Sequence, residues 1–171
     1  MASSWVGFAL GVSWAVCWYF FFVRYGRGRR SAARTSRPFA LTSYAVLAAL
    51  AFWSACMWGL PPRTPSALLL LAGGFATVLG QWLMCAARRA LPLSNYDVLM
   101  RVAAARVRSG VYRYLAHPMY AGLLLALAGS SVALGNKAAL LVLLILAPLL
   151  ALRAVIESDD DICCGHGVYR A

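Results

Sequence analysis

The sequence predicts an all-α fold: a polytopic membrane helical bundle of about five transmembrane helices, forming a single domain over residues 1–171. Two observations lead to this prediction. Hydrophobic residues make up 63% of the chain and charged residues only 12%, which is more apolar surface than a water-soluble domain of this size can bury. The apolar residues are also grouped in uncharged runs of about 20 residues, the length that crosses about 30 Å of hydrocarbon.

Five such runs can be placed along the chain. Three are clear, and two more follow that only Gly135, Asn136 and Lys137 separate. A connection this short permits only a tight helical hairpin. The predicted spans are residues 5–23, 39–60, 66–87, 118–134 and 138–156.

Positive charge is concentrated in alternate loops. The net charge is +11, and arginine is abundant in residues 24–37 and 88–113, whereas the other loops carry only Arg63 and Lys137. By the positive-inside rule the arginine-rich loops face the cytoplasm, which predicts an external N-terminus and a cytoplasmic C-terminus. Anionic lipid headgroups pair naturally with these arginines, so we expect a lipid bilayer and not nucleic acid as the partner. The bilayer would be a bacterial inner membrane or the endoplasmic reticulum, and the oligomeric state stays open.

Small and polar residues interrupt the later spans. Close helix packing in lipid is the favoured interpretation of the small ones, and a ligand approaching the bare backbone is the alternative. Gln81 is strongly polar, so we expect it to face the bundle or a wet cavity, with ligand contact as an alternative. The small residues are Gly73, Gly74, Gly80, Gly122, Ala126 and Gly129.

Ionisable residues converge where the last two spans reach the predicted cytoplasmic side. Counting from the hairpin at about 1.5 Å per residue puts His117 level with the stretch from Arg153 to Glu157. Arg153 and Glu157 share a helix face, and an intrahelical ion pair is their simplest interpretation. Pro118 fits the first turn of a helix, whose free N–H groups favour an anion, and Arg113 lies just upstream.

The segment around this histidine resembles a family signature. Residues 109–122 read Ser-Gly-Val-Tyr-Arg-Tyr-Leu-Ala-His-Pro-Met-Tyr-Ala-Gly, similar to the G-P-Y-R-Y-x-R-H-P-x-Y-x-G motif of isoprenylcysteine carboxyl methyltransferases and of related phospholipid and thiol methyltransferases. As in that family, a two-helix hairpin follows, and then an arginine and a glutamate, here Arg153 and Glu157. The resemblance covers residues 110–169, the expected donor-binding hairpin region.

The resemblance implies a membrane-embedded methyltransferase whose cofactor is S-adenosylmethionine and whose site, facing the cytoplasm, requires no metal. The implied acceptor is lipophilic or small: a prenylcysteine carboxylate, a phospholipid amine or a thiol. Motif positions imply catalytic roles for Arg153 and Glu157. They imply donor-binding roles for Tyr112, Arg113, His117, Pro118, Tyr120, Gly122 and Glu157.

Three positions depart from the family pattern. Val111 stands in place of a proline, Ala116 in place of an arginine, and Ser158 in place of a second glutamate. A membrane scaffold of the same fold that has lost the chemistry is therefore one alternative function, and a sterol reductase-like membrane enzyme is another. The acidic tail after Glu157 also contains cysteine and histidine, but neighbouring side chains cannot all converge on one metal ion, so we interpret it as solvated.

Overall fold

The computed structural model describes residues 2–19, 37–59, 66–90 and 109–165. All regular structure in these ranges is helical, which confirms the predicted all-α fold with five main helices. The α-helices are α1 (Ala2–Trp18), α2 (Arg37–Gly59), α3 (Ala67–Ala90), α4 (Pro118–Ala133) and α5 (Lys137–Gly165), and a short 3-10 helix covers Gly110–Arg113. We call the end of the bundle that carries Pro118 the motif end, and the end that carries residues 134–136 the hairpin end.

Within the described residues, three helices are long and apolar enough to cross a membrane: Leu41–Gly59, Ala67–Ala90 and Lys137–Ile156. The apolar parts of α1 and α4, Gly7–Cys17 and Pro118–Ala133, are shorter. At about 1.5 Å per residue, α4 extends for roughly 24 Å, less than the roughly 30 Å of a hydrocarbon core. The chain therefore has the helices of an integral membrane protein, and the prediction of five full spans is supported for three of them.

The predicted orientation in the membrane depends on the two arginine-rich loops. Residues 20–36 and 91–108, which make up most of these loops, lie outside the described residues. The external N-terminus and the cytoplasmic C-terminus stay predictions.

A tight turn joins α4 to α5, as the sequence predicts. Gly135 adopts a φ of +61°, a left-handed conformation that glycine reaches without a steric penalty. Its N–H donates to the Val132 carbonyl, and the Asn136 N–H donates to the Ser131 carbonyl, the pair of bonds that defines a Schellman C-cap. The Asn136 side chain then accepts a 3.0 Å bond from the Ala139 N–H at the start of α5. This turn sets which residues of α4 and α5 lie at the same level.

The remaining helices pack around this hairpin. Helix α4 contacts both α3 and α5, while α2 packs on α5 and α1 packs on α3. The α2–α5 contact is apolar and contains the buried side chains of Val46, Trp53, Val142, Leu146 and Leu150. Residues at the motif end of α2 are thereby brought beside α5 and α4.

Glycine lets α3 and α4 pack backbone to backbone. A Cβ added to Gly80 would lie 2.5 Å from the Gly122 carbonyl oxygen, and one added to Gly129 would lie 2.6 Å from that of Gly73. Neither distance is tolerable without moving a helix. The predicted packing role is thus confirmed for these four glycines and for Ala126, which is fully buried between them.

Two other positions on α3 behave differently from those glycines. A Cβ added to Gly74 would meet no atom within 4 Å, so this glycine lies away from the helix contact. Gln81 is buried and its Nε2 donates to Ser13 Oγ at 3.2 Å. The glutamine therefore faces the bundle, as predicted, and ties α3 to α1.

Candidate active site

A buried arginine lies where α2, α4 and α5 meet near the motif end. Arg153 is only 4% exposed. Its Nε donates a 2.8 Å hydrogen bond to the Tyr120 hydroxyl on α4, and its NH1 donates to Ser43 Oγ on α2. A cation at membrane depth is costly unless polar groups surround it. The two bonds supply such groups and join three helices at one guanidinium.

Tyr120 connects this arginine to the histidine of the motif. The rings of His117 and Tyr120 are stacked, with centroids 5.6 Å apart and an interplanar angle of 7°. His117 occupies the N-cap position of α4 and Pro118 the first helical turn, so the helix begins where the sequence predicts. Tyr120 follows about one turn later, which lets its ring face His117 while its hydroxyl reaches α5. The structure thus brings His117, Tyr120 and Arg153 together, and their assigned roles stay predictions.

The 3-10 helix places the first half of the motif against the end of α3. Gly110 has a φ of +59°, and a Cβ added to it would lie 3.5 Å from the Ala90 Cβ. Tyr112 is half-buried on this helix. Arg113 is exposed, and its guanidinium lies 6.0 Å from the centroid of the Tyr114 ring. Tyr112 and Arg113 therefore belong to the segment that leads into the site.

Two further site residues predicted from the motif, Gly122 and Glu157, are described by the structure to different extents. Gly122 faces α3, where an added Cβ would lie 2.7 Å from the Gly80 carbonyl oxygen. Helix packing alone requires glycine there, and its donor-binding role stays a prediction. Glu157 belongs to α5, one turn beyond Arg153, but its side chain lies outside the described residues, as do those of Ser158 and the tail that follows. The Arg153–Glu157 ion pair therefore stays an untested interpretation.

Two buried polar residues at this end were missed from the sequence. Ser43 is 1% exposed and contacts Arg153, and Arg88 is 5% exposed on the last turn of α3, the end against which the 3-10 helix packs. A signal existed for both. Ser43 falls on the helical stripe of α2 that continues through Val46 to Trp53, and Arg88 lies four residues after the buried Met84, on the same face of α3. Polar residues on a core-facing stripe are candidates for bundle-facing roles.

Comparison with known proteins identifies the chain's family. Residues 68–159, more than half of the chain, match the family model of phospholipid methyltransferases. The chain belongs to the phospholipid methyltransferase family. Membership implies methyltransferase activity in general and confirms the resemblance stated from the motif. No curated protein and no solved structure gives a significant match.

Residues 68–159, which match the phospholipid methyltransferase family, contain most of the site. This stretch begins in α3 and runs through the 3-10 helix, α4 and most of α5, so it includes His117, Tyr120 and Arg153. Helices α1 and α2 lie outside it, and Ser43 with them. The site of this chain is therefore built from matched helices and completed by a helix outside the match.

The chemistry offered by the described site residues is cationic and aromatic. Arg153 presents a buried guanidinium, a group that forms charge-assisted hydrogen bonds with carboxylates and phosphates. The stacked rings of His117 and Tyr120 present an aromatic surface beside it. Among the described residues, no group of three or more His, Cys, Asp or Glu side chains is placed to hold a metal ion.

Proposed function

We propose that the protein is an integral membrane enzyme that transfers a methyl group from S-adenosylmethionine to a lipophilic or small acceptor. The observation that carries this proposal is the contact of His117, Tyr120 and Arg153 at one end of the bundle, inside the region that matches the phospholipid methyltransferase family. These three residues come from the two arms of the hairpin, and each was expected at the site from the motif.

The residues present fit a sulfonium donor with a carboxylate. A positively charged sulfonium is attracted to the face of a tyrosine ring, and the Tyr120 ring is held by its stacking on His117. The positive end of the helix dipole at the first turn of α4 favours an anion, and Arg113 lies shortly before that turn. Bound in this way, S-adenosylmethionine supplies an electrophilic methyl group.

Three acceptor classes are considered: the amine of a phospholipid headgroup, a prenylcysteine carboxylate and a thiol. The name of the family favours the phospholipid amine. Arg153 suits an acceptor that carries a phosphate or carboxylate, because its planar guanidinium binds such anions through paired hydrogen bonds. The site lies toward one end of the apolar helices, the level at which lipid headgroups lie.

The residues of the chain contribute mainly positioning to the transfer. An in-line displacement requires the reacting atoms to be about 3–3.5 Å apart and aligned, which can supply several kcal/mol of the rate enhancement. Arg153 is anchored by Tyr120 and Ser43, so an acceptor anion bound to it has a defined place. Glu157 lies one turn further along α5, and its carboxylate is proposed to accept a hydrogen bond from the methyl donor.

A methyl-transfer assay on membranes tests the proposal. Membranes containing the protein are incubated with S-adenosylmethionine labelled in its methyl group, and labelled lipids, proteins and small thiols are separated and identified. We expect one acceptor class to become labelled, and His117→Ala or Arg153→Ala to lower the rate by at least about tenfold. Lys137→Ala, which changes an exposed cation at the hairpin end, should leave the rate unchanged.

Binding measurements separate the alternatives. Purified protein in detergent should bind S-adenosylhomocysteine, and His117→Ala should weaken this binding. A scaffold without chemistry would bind none, even at millimolar ligand, and would transfer no label. Binding of NADPH in place of S-adenosylhomocysteine would point to a reductase-like enzyme instead.

A further inference from the structure

A serine outside the matched region reaches the arginine on which the proposed function depends. Ser43 lies on α2, whereas the family match begins in α3. It is 1% exposed, and its Oγ accepts a hydrogen bond from NH1 of Arg153. The two residues are far apart in sequence, so this contact exists only because α2 packs along α5.

Other hydroxyls of the described helices also accept bonds from neighbouring helices, but from neutral donors, whereas the donor to Ser43 is a guanidinium. Serine and threonine in apolar helices commonly donate to a carbonyl of their own helix four residues earlier. Thr42, the neighbour of Ser43, does so to Pro38 at 3.0 Å, and Ser131 does so to Leu127 at 2.8 Å. The Ser43 hydroxyl accepts a charge-assisted bond from Arg153 on another helix. Such bonds are about twice as strong as neutral ones.

Hydrogen bonds to two different helices orient the guanidinium of Arg153. Nε is held by the Tyr120 hydroxyl on α4 and NH1 by the Ser43 hydroxyl on α2. Because the guanidinium is planar and rigid, fixing two of its nitrogens from two different helices fixes its orientation. Without the Ser43 hydroxyl the guanidinium loses its hydrogen bond to α2, and rotation about the side-chain torsions can change the direction in which its N–H groups point.

We propose that Ser43 is a positioning residue for methyl transfer: it orients Arg153 toward the acceptor, so that α2 forms part of the acceptor side of the site. This inference depends on the proposed function. In this arrangement the donor binds on the α4 side of the site, beside His117 and Tyr120, and the acceptor binds on the α2 side, beside Ser43. Loss of the Ser43 hydroxyl should therefore impair use of the acceptor and leave donor binding intact.

Steady-state kinetics with purified variants test this assignment. Ser43→Ala removes the hydroxyl, Ser43→Cys keeps the size but provides only a weak acceptor, and Ser43→Thr restores the hydroxyl. We expect kcat/KM for the acceptor to fall by about tenfold in Ser43→Ala and Ser43→Cys, with recovery in Ser43→Thr. The Kd of S-adenosylhomocysteine should stay within about twofold of the wild-type value. Thr42→Ala, an adjacent buried hydroxyl bonded within its own helix, is the matched control and should leave kcat/KM unchanged.

A second substitution shows whether Ser43 acts through the arginine. Arg153→Lys removes the planar guanidinium that Ser43 is proposed to orient. Ser43→Ala should therefore lower kcat/KM much less in the Arg153→Lys protein than in the wild type. Rates are normalised to folded protein, measured well below each variant's Tm, so that loss of stability does not appear as loss of turnover.

Each result has a definite meaning. Unchanged kcat/KM in both Ser43→Ala and Ser43→Cys, in a protein whose wild type transfers methyl groups, overturns the positioning role and leaves the proposed function standing. An equal fall in Thr42→Ala, or a parallel loss of S-adenosylhomocysteine binding in Ser43→Ala, also overturns it, because either would indicate a general effect on the fold. No transfer by the wild type to any acceptor removes the proposed function and this inference together.

Discussion

Nε of Arg153 donates a 2.8 Å hydrogen bond to the hydroxyl of Tyr120, while the ring of the same tyrosine stacks on His117. One side chain thus contacts both the residue expected to bind the acceptor and the residue expected to bind the donor. Its ring and its hydroxyl are separable by substitution, which makes Tyr120 the most informative position in the site.

Tyr120→Phe should separate these two contacts. It keeps the ring that stacks on His117 and removes the hydroxyl that accepts from Arg153. We expect S-adenosylhomocysteine affinity to change little and methyl transfer to fall by about tenfold, because a hydrogen bond to a charged group is lost. Isothermal titration and the labelled-methyl assay measure the two quantities.

The control for this substitution is Tyr120→Ala, which removes the ring as well. It should lower both donor affinity and transfer, since a cation–π contact contributes about 0.5–2 kcal/mol. If Tyr120→Phe lost donor binding as completely as Tyr120→Ala, the hydroxyl and not the ring would be the donor contact, and the division of roles given above would be wrong.

The α3–α4 contact should tolerate no added methyl group. Gly80→Ala would place a Cβ 2.5 Å from the Gly122 carbonyl oxygen, which forces the helices apart and costs at least about 1–3 kcal/mol. Gly74→Ala is the matched control on the same helix, because a Cβ there meets no atom within 4 Å. It should be neutral or slightly stabilising, since alanine favours helix more than glycine does.

Thermal unfolding in detergent, followed by circular dichroism, measures this difference. Gly80→Ala should lower Tm clearly and Gly74→Ala should not. Equal Tm values for the two variants would mean that α3 and α4 are not in close backbone contact in the membrane-embedded protein.

A tryptophan–serine pair should contribute modestly to joining α2 to α4. Trp53 Nε1 donates to Ser131 Oγ at 3.0 Å in the buried interior. Interhelical hydrogen bonds in membrane proteins average about 0.6 kcal/mol, with a maximum near 1.7. A double-mutant cycle with Trp53→Phe and Ser131→Ala should therefore give a coupling energy in this range. The matched pair for comparison is Trp14 and Ser130, which make the same contact from α1 at 3.0 Å.

Parts of this architecture follow directly from local sequence. The hairpin was predictable because only Gly135, Asn136 and Lys137 separate two apolar runs, too few residues for any longer connection. Once the hairpin was known, the rise per residue was enough to place Arg153 at the level of the motif. The start of α4 was predictable because proline suits the first turn.

Other parts depend on contacts that leave no local signature. The packing of α2 on α5 is a pairing of helices distant in sequence, and nothing in α2 alone indicates which helix Ser43 will meet. The apolar run predicts that the third span ends at residue 87, because two consecutive arginines follow, whereas α3 continues to Ala90. The prediction that Arg88 belongs to a loop is therefore wrong, since Arg88 is buried on the last turn of the helix.

The two adjacent arginines at that boundary should differ sharply in their effect on the motif. Arg88 is 5% exposed and Arg89 is exposed, and the 3-10 helix of residues 110–113 packs against this end of α3. Arg88→Ala removes a buried side chain, with both its apolar stem and its polar head, and should cost about 1–3 kcal/mol of stability. Arg89→Ala, an identical loss of charge from an exposed position, should change stability by no more than about 0.5 kcal/mol.

Because the 3-10 helix leads into His117, Arg88→Ala should also weaken S-adenosylhomocysteine binding while Arg89→Ala leaves it unchanged. Equal effects of the two substitutions on binding would indicate that positive charge near the headgroups, and not the burial of Arg88, supports the motif.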